Sequence, residues 1–343
     1  MKKKGISGVL ILVLGLIIGL AIAGAVGYYL LNKNDVVLQN QTDGGPVNEK
    51  PYCGDGICQT LESSGRIPCS KDCGTSGDSP DKNFIKDIAY GSDSSAQKLD
   101  LYLPKGVSGK IPVIIEIHGG GFSAGDKYPS TRAEFFNTKG YAVAAINYRL
   151  SGEAIFPAAA YDVKSAVRWL RANADKYNLD AANFGAIGGS AGGYFSAFLG
   201  TTGDIKDFDV GDNLEYSSVV QAVVDQFGPV NFSSLAQDRV DKGYDPSRVE
   251  TTYLGCNITL SSCENRFTAS PINYVSSNDA SFSIIHGAID DQIPIKQSQD
   301  FYNALQSAGV DSQFTTVPNA GHGGPQYNSY NNEYLDFFDK YLK

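Results

Sequence analysis

Apolar positions along the 343-residue chain change rhythm twice. Residues 6–31 carry no charged side chain, residues 32–82 are dominated by Asn, Gln, Asp, Gly, Pro and Ser, and from about residue 83 short apolar runs alternate with helical patterns. In that last part, residues 111–117, 141–146, 184–187, 219–224 and 282–285 read as buried strands. Between two of them, Val163, Ala166, Val167, Leu170, Ala174 and Tyr177 recur at helical spacing with charges on the opposite face, which predicts an amphipathic helix. Strands alternating with helices predict an α/β fold, a mostly parallel sheet with helices on both faces. Residues 87–103, ending Leu99-Asp-Leu-Tyr-Leu103, read as antiparallel strands opening the sheet. Residues 230–271 break the alternation and read as a cap-like excursion over it. The organisation expected is an N-terminal segment (1–32), a polar stalk (33–82) and one large domain (83–343).

As a helix rising about 1.5 Å per residue, residues 6–31 reach about 39 Å, enough to span a hydrocarbon core of about 30 Å with some tilt. Lys2, Lys3 and Lys4 precede the run, so the positive-inside rule keeps the N-terminus cytoplasmic and sends everything after it outside. Ala21-Ile22-Ala23 offers the competing reading of a cleaved signal peptide. The apolar run continues well past the usual signal core, which favours an uncleaved anchor. Either reading exports the same domain.

Within the stalk, Cys53-Gly-Asp-Gly-Ile-Cys58 is followed by Cys69-Ser-Lys-Asp-Cys73. Zinc ligands also come in close pairs, but these spacings are wider than the usual two residues and the compartment is oxidising, so disulfides are expected. The segment resembles short disulfide-stapled modules of exported microbial proteins. Asp55, Glu62 and Asp72 could add a calcium site, and the plain stapled spacer is preferred. Cys256 and Cys263 are close enough to staple a loop, so all six cysteines can pair. The sequons at Asn40, Asn231 and Asn257 decide nothing.

Composition supports a sizeable core: 42% of residues are hydrophobic and 19% charged, as in ordinary globular chains. The net charge of -9 becomes more negative still once Lys2, Lys3, Lys4 and Lys33 are set aside with the N-terminal segment. Such a surface repels phosphate backbones, which argues against a nucleic-acid partner.

The chemistry is concentrated in a few glycine-rich turns. Gly188-Gly-Ser190-Ala-Gly192 follows the strand at 184–187 and precedes an apolar helical run, the strand–turn–helix setting of a nucleophile elbow. The turn lifts the Ser190 hydroxyl to a helix N-terminus, where the dipole favours developing negative charge. His118-Gly-Gly-Gly-Phe122 follows another buried strand, and acyl transfer needs backbone N–H donors aimed at an oxyanion; Gly120, Gly121 and Ala191 are the candidates. Of the three histidines, His118 opens the Gly-rich loop and His286 ends a strand. His322, in Asn319-Ala-Gly-His-Gly-Gly324, is left as the base that makes a serine hydroxyl nucleophilic. An acid belongs between nucleophile and base in this chain order, and either Asp290 or Asp291 could serve.

From about residue 87 to the C-terminus the chain resembles the α/β-hydrolase esterases of the hormone-sensitive-lipase and feruloyl/acetylxylan-esterase-like group, the BD-FAE-like enzymes among them. The motifs carrying the resemblance are His118-Gly-Gly-Gly-Phe122, Asn147-Tyr-Arg-Leu150, Asp162 with Ala166-Val-Arg-Trp-Leu170, Gly189-Ser-Ala-Gly-Gly193, and His286-Gly with Asp290 and Ile293-Pro294. The resemblance implies the α/β-hydrolase fold with an eight-stranded sheet, no cofactor, and Asp290 rather than Asp291 as the acid. Tyr194 stands where many relatives carry His or Asn, which implies an altered pocket wall.

The function expected is an extracellular serine carboxylic ester hydrolase with the triad Ser190, His322 and Asp290, acting on small acyl esters or acetyl and feruloyl esters of carbohydrate, with a surface or environmental polysaccharide as partner. A prolyl-oligopeptidase-like peptidase shares the triad, but its usual propeller domain is absent from this sequence. A non-catalytic binding protein on the same fold would usually lack a triad member, and none is missing here.

Overall fold

The computed structural model describes residues 83–246 and 250–343. The expected anchor, the stalk, Cys53, Cys58, Cys69, Cys73 and the calcium candidates Asp55, Glu62 and Asp72 all lie outside the described residues. Among the described residues, no helix is long and apolar enough to cross a membrane.

Eight strands form one sheet: β1 (Phe84–Ala89), β2 (Lys98–Tyr102), β3 (Ile111–Ile117), β4 (Ala142–Ile146), β5 (Leu179–Gly189), β6 (Ala222–Gln226), β7 (Ser281–Gly287) and β8 (Ser312–Val317). Their order is β1-β2-β4-β3-β5-β6-β7-β8. β2 pairs antiparallel with both β1 and β4, and every later pair is parallel. The expected antiparallel opening and parallel centre are therefore both present.

Helices cover both faces because the central strands are apolar on both. On β3, Val113, Ile115 and Ile117 face one core and Ile114 the other, the period-2 alternation of a strand. The first core takes α2 (Ala158–Ala172), α3 (Ala191–Thr202) and α7 (Lys296–Ala308), whose Val163, Phe198 and Phe301 are fully buried. The second takes α1 (Ala133–Asn137) and α8 (Asn331–Leu342) through Phe136 and Phe338.

Two details depart from the pattern expected of the sequence, and a third fills it in. Helix α2 ends at Ala172, ahead of Ala174 and Tyr177, because the chain turns at Asn178 (φ 57°) into β5. Strand β6 starts at Ala222 rather than residue 219, since the Val219 carbonyl is taken by the Arg171 guanidinium (2.8 Å). The 230–271 excursion is built from α4 (Phe232–Val240), α5 (Glu250–Leu254) and α6 (Asn265–Thr268), with the expected Cys256–Cys263 disulfide between the last two.

Candidate active site

Ser190 sits between β5 and α3 at φ 58° and ψ −121°, a conformation that non-glycine residues rarely adopt and hold only when the surroundings enforce it. Its N–H donates to the Gln226 carbonyl at 2.9 Å and its carbonyl starts the helix by accepting from Tyr194 N (2.9 Å). The neighbouring glycine is required: a Cβ on Gly192 would lie 2.1 Å from the Ile117 carbonyl oxygen.

His322 bridges the serine and the acid. Its Nε2 is 2.8 Å from Ser190 Oγ and its Nδ1 is 2.8 Å from Asp290 Oδ2. A carboxylate can only accept here, so Nδ1 carries the proton and Nε2 is free to accept from the serine hydroxyl. Phe227 lies edge-on to the His322 ring at 4.9 Å and limits its swing. The loop bearing His322 packs tightly over the end of β7, where a Cβ on Gly287 would fall 2.2 Å from the Ala320 carbonyl.

Asp290 is buried and its partners are many. Oδ1 accepts from the N–H groups of Gln292 (2.8 Å) and Ile293 (2.9 Å). Oδ2 faces His322 and, at 3.3 Å, Nε2 of His286. Burial pushes this carboxyl up, but hydrogen bonds from His286 and His322 outweigh it and hold the acid well below the usual carboxylate range. Asp291 is exposed.

His286 was legible only as the end of a strand, yet it is a second support for the acid. Its Nδ1 is 2.7 Å from Ser298 Oγ and its Nε2 is 2.9 Å from the Ile293 carbonyl, so Nε2 carries a proton and donates it to that carbonyl, with Asp290 Oδ2 at 3.3 Å beside it. The signal available in the sequence was the four-residue spacing from His286 to Asp290 across a glycine.

Gly120, Gly121 and Ala191 line one cavity together with Ser190 and His322, about 770 Å³ in volume. Among the described residues, no backbone hydrogen bond outside helices and strands is donated by any of these three N–H groups. The loop bearing the two glycines is pinned at both ends. The His118 carbonyl accepts from Tyr148 Oη (3.0 Å) while the rings of the two residues stack at 4.4 Å. Phe122, 2% exposed, stacks on Tyr253 at 4.1 Å. Burial lowers the His118 pKa, in keeping with a neutral, structural imidazole.

A second cavity of about 360 Å³ opens on the other side of Ser190, beside His118, Gly119 and Tyr327. Tyr194 borders neither: it is fully buried, its hydroxyl 3.1 Å from that of Tyr253, so the pocket-wall role implied by the resemblance is replaced by one in the core. The Asn147-Tyr-Arg-Leu150 and Asp162 motifs are also scaffold, with Arg149 forked onto buried Asp162 at 2.7 Å. No group of His, Cys, Asp and Glu among the described residues is arranged to hold a metal ion.

The BD-FAE family model matches residues 99–305, more than half of the chain. Among curated proteins, esterase LipC of Mycobacterium tuberculosis is 30% identical over 246 residues, covering 69% of this chain and 59% of that protein. Esterase LipQ of the same organism is 28% identical over 243 residues, covering 69% of this chain and 56% of its own. The chain thus spans little more than half the length of these relatives. Among solved structures, a truncated form of a carbohydrate esterase from gut microbiota is 33% identical with a TM-score of 0.69, covering 76% of this chain and 97% of that one. By its sheet, its motifs and this match, the chain belongs to the BD-FAE family of α/β-hydrolase esterases.

Proposed function

We propose that the protein is an exported serine hydrolase of carboxylic esters, with Ser190 as nucleophile, His322 as general base and acid, and Asp290 as the group that orients and stabilises His322. The observation that carries the reading is the unbroken chain of two 2.8 Å contacts from Ser190 through His322 to Asp290 in a member of an esterase family.

The steps follow from the geometry. Ser190 Oγ attacks the ester carbonyl as its proton passes to His322 Nε2, and the imidazolium formed faces the Asp290 carboxylate. The tetrahedral oxyanion is held by the N–H groups of Gly120, Gly121 and Ala191. His322 then gives its proton to the departing alkoxide, leaving an acyl-serine. A water molecule, deprotonated by the same imidazole, attacks the acyl carbon and releases the acid and free Ser190. No cofactor takes part.

Carbohydrate esters, acetylated or feruloylated, are the substrates that the carbohydrate-esterase neighbour supports. Export, with residues 6–31 as a membrane anchor, is supported by the charge-free run and by the Cys256–Cys263 disulfide, a bond typical of oxidising compartments. The test is hydrolysis of p-nitrophenyl acetate by the wild type and by Ser190→Ala. The wild type should turn over, and the variant should fall to the background rate with its circular dichroism unchanged. Turnover surviving in the variant would refute the assignment of Ser190.

A further inference from the structure

The cavity on the Gly119 side of Ser190 has a charged floor that the hydrolytic steps leave unused. At its centre is Glu116 on β3, 7% exposed, which accepts from Thr131 Oγ1 (2.7 Å), Arg132 Nη1 (3.1 Å) and Ser130 Oγ. Arg132 in turn donates from Nη2 to Gln226 Oε1 at 2.6 Å, and the Gln226 carbonyl is the acceptor for the Ser190 N–H. The guanidinium is thereby tied to the backbone of the serine, and Glu116, Arg132, Gln226 and Ser190 all line this one cavity.

Charge and donor count say what such a floor recognises. Glu116 compensates Arg132, and Asp126 and Lys127, the other two charged residues in the lining, also cancel in sum, so an anionic ligand would meet the carboxylate and a cationic one the guanidinium, each poorly matched. A guanidinium carries five N–H donors and no acceptor. Nη1 spends its two on Glu116 and Thr131 and Nη2 spends one on Gln226, which leaves two of the five unspent, the buried Nε hydrogen and one on Nη2. The Arg132 side chain is 16% exposed while its Nε is buried, so its contact with the cavity is made elsewhere on the side chain. A donor set in a net-neutral wall suits the hydroxyl or ether oxygens of an uncharged polyol. The opposite cavity also carries an ion pair, Arg239 with Glu250, but both side chains are buried, 1% and 3% exposed; beside that pair it presents the apolar Phe122, Pro229 and Ile293. Those residues suit an acyl chain.

Building on the ester-hydrolase reading, we infer that the Glu116–Arg132 cavity is the subsite for the alcohol half of the ester, and that Arg132 selects a neutral, hydroxylated alcohol such as a sugar ring over a plain alkyl one. A bond from a charged donor contributes about 1.5–3 kcal/mol, or roughly ten- to a hundredfold in selectivity.

The test compares two unactivated esters of the same acid, a mono-O-acetylated methyl xyloside and n-butyl acetate, as the ratio of their kcat/KM values. Arg132→Met should lower that ratio at least tenfold. Arg132→Lys keeps a charge beside Glu116 but loses the planar fork, and should lower it at least threefold in a protein more certain to fold. A wild-type enzyme that cleaves both esters with a ratio unchanged within twofold in the two variants would overturn the subsite and leave the esterase reading standing. A wild type that cleaves neither would overturn both. If Arg132 merely pins its loop, both kcat/KM values fall together and the ratio stays constant, which also rejects the inference.

Discussion

Asp290 and Asp291 are adjacent in the chain, yet only Asp290 lies under His322, its Oδ2 2.8 Å from Nδ1, while Asp291 is exposed to solvent. The two N–H bonds from Gln292 and Ile293 turn the Asp290 side chain inward and hold it there. One step along the backbone separates an acid with several partners from one facing water.

That difference sets the first prediction. Asp290→Asn should reduce kcat on p-nitrophenyl acetate by about 10³–10⁴-fold, because an amide can present its N–H to His322 and favour the wrong tautomer. Asp291→Asn should stay within about twofold, in line with the small effects of surface substitutions. Steady-state kinetics on the two purified variants checks the order, and the reverse order would move the acid by one residue.

A second prediction concerns pH and stability. Asp225, at the end of β6, is fully buried, and burial pushes its pKa up to about 6 against the backbone hydrogen bond it accepts from Gly228 N at 2.9 Å. A carboxyl with a raised folded-state pKa binds its proton more tightly when folded. Its contribution is therefore fully present below the unfolded value of 3.8 and is lost as pH rises through about 6. The loss is on the order of 2–3 kcal/mol at about 1.4 kcal/mol per pKa unit. Urea titrations at pH 4.5 and pH 7.5 should show this fall in the wild type, and Asp225→Asn should flatten it. Equal slopes in the two proteins would rule the explanation out.

A third prediction tests the buried ion pair in the excursion. Arg239, 1% exposed, is forked onto Glu250 with contacts of 2.7 and 3.0 Å and also donates to the Gln292 carbonyl at 2.9 Å. Glu250→Ala leaves the guanidinium buried without a countercharge, which costs about 3–5 kcal/mol, whereas replacing both partners by apolar residues of similar volume costs much less. Denaturant unfolding of Glu250→Ala and of the Arg239→Met/Glu250→Leu double variant should show the single change to be the more damaging. Because the pair lines the cavity that holds Gly120, Gly121 and Ala191, Glu250→Ala should also raise KM.

Local pattern was enough for the sheet's centre and for the turn that carries Ser190. Apolar runs such as residues 111–117 and 184–187 are buried on both faces and so betray themselves by composition, and a glycine-flanked serine between strand and helix has little freedom but to form an elbow. Strand β8 escaped because it is an edge strand whose Ser-Gln-Phe-Thr-Thr run is mostly polar and only partly buried. Helices α7 and α8 escaped because β8, the strand between them, has too weak a pattern to frame them.

Three histidines and one glycine elbow are enough to single out Ser190 and His322 as candidates, and the motif resemblance favours Asp290 over Asp291. The fold adds what chain order does not show: Asp290 turned under His322 with Asp291 left in solvent, His286 beside that carboxylate, and Glu116, Arg132 and Gln226 together beside the serine. The physical reason is separation along the chain. Arg132 and Gln226 are 94 residues apart, and His322 and Ser190 132, so their contacts depend on which strands lie side by side at the carboxyl edge of the sheet. No local spacing encodes that neighbourhood; the parallel pairing of β3, β5, β6 and β7 creates it.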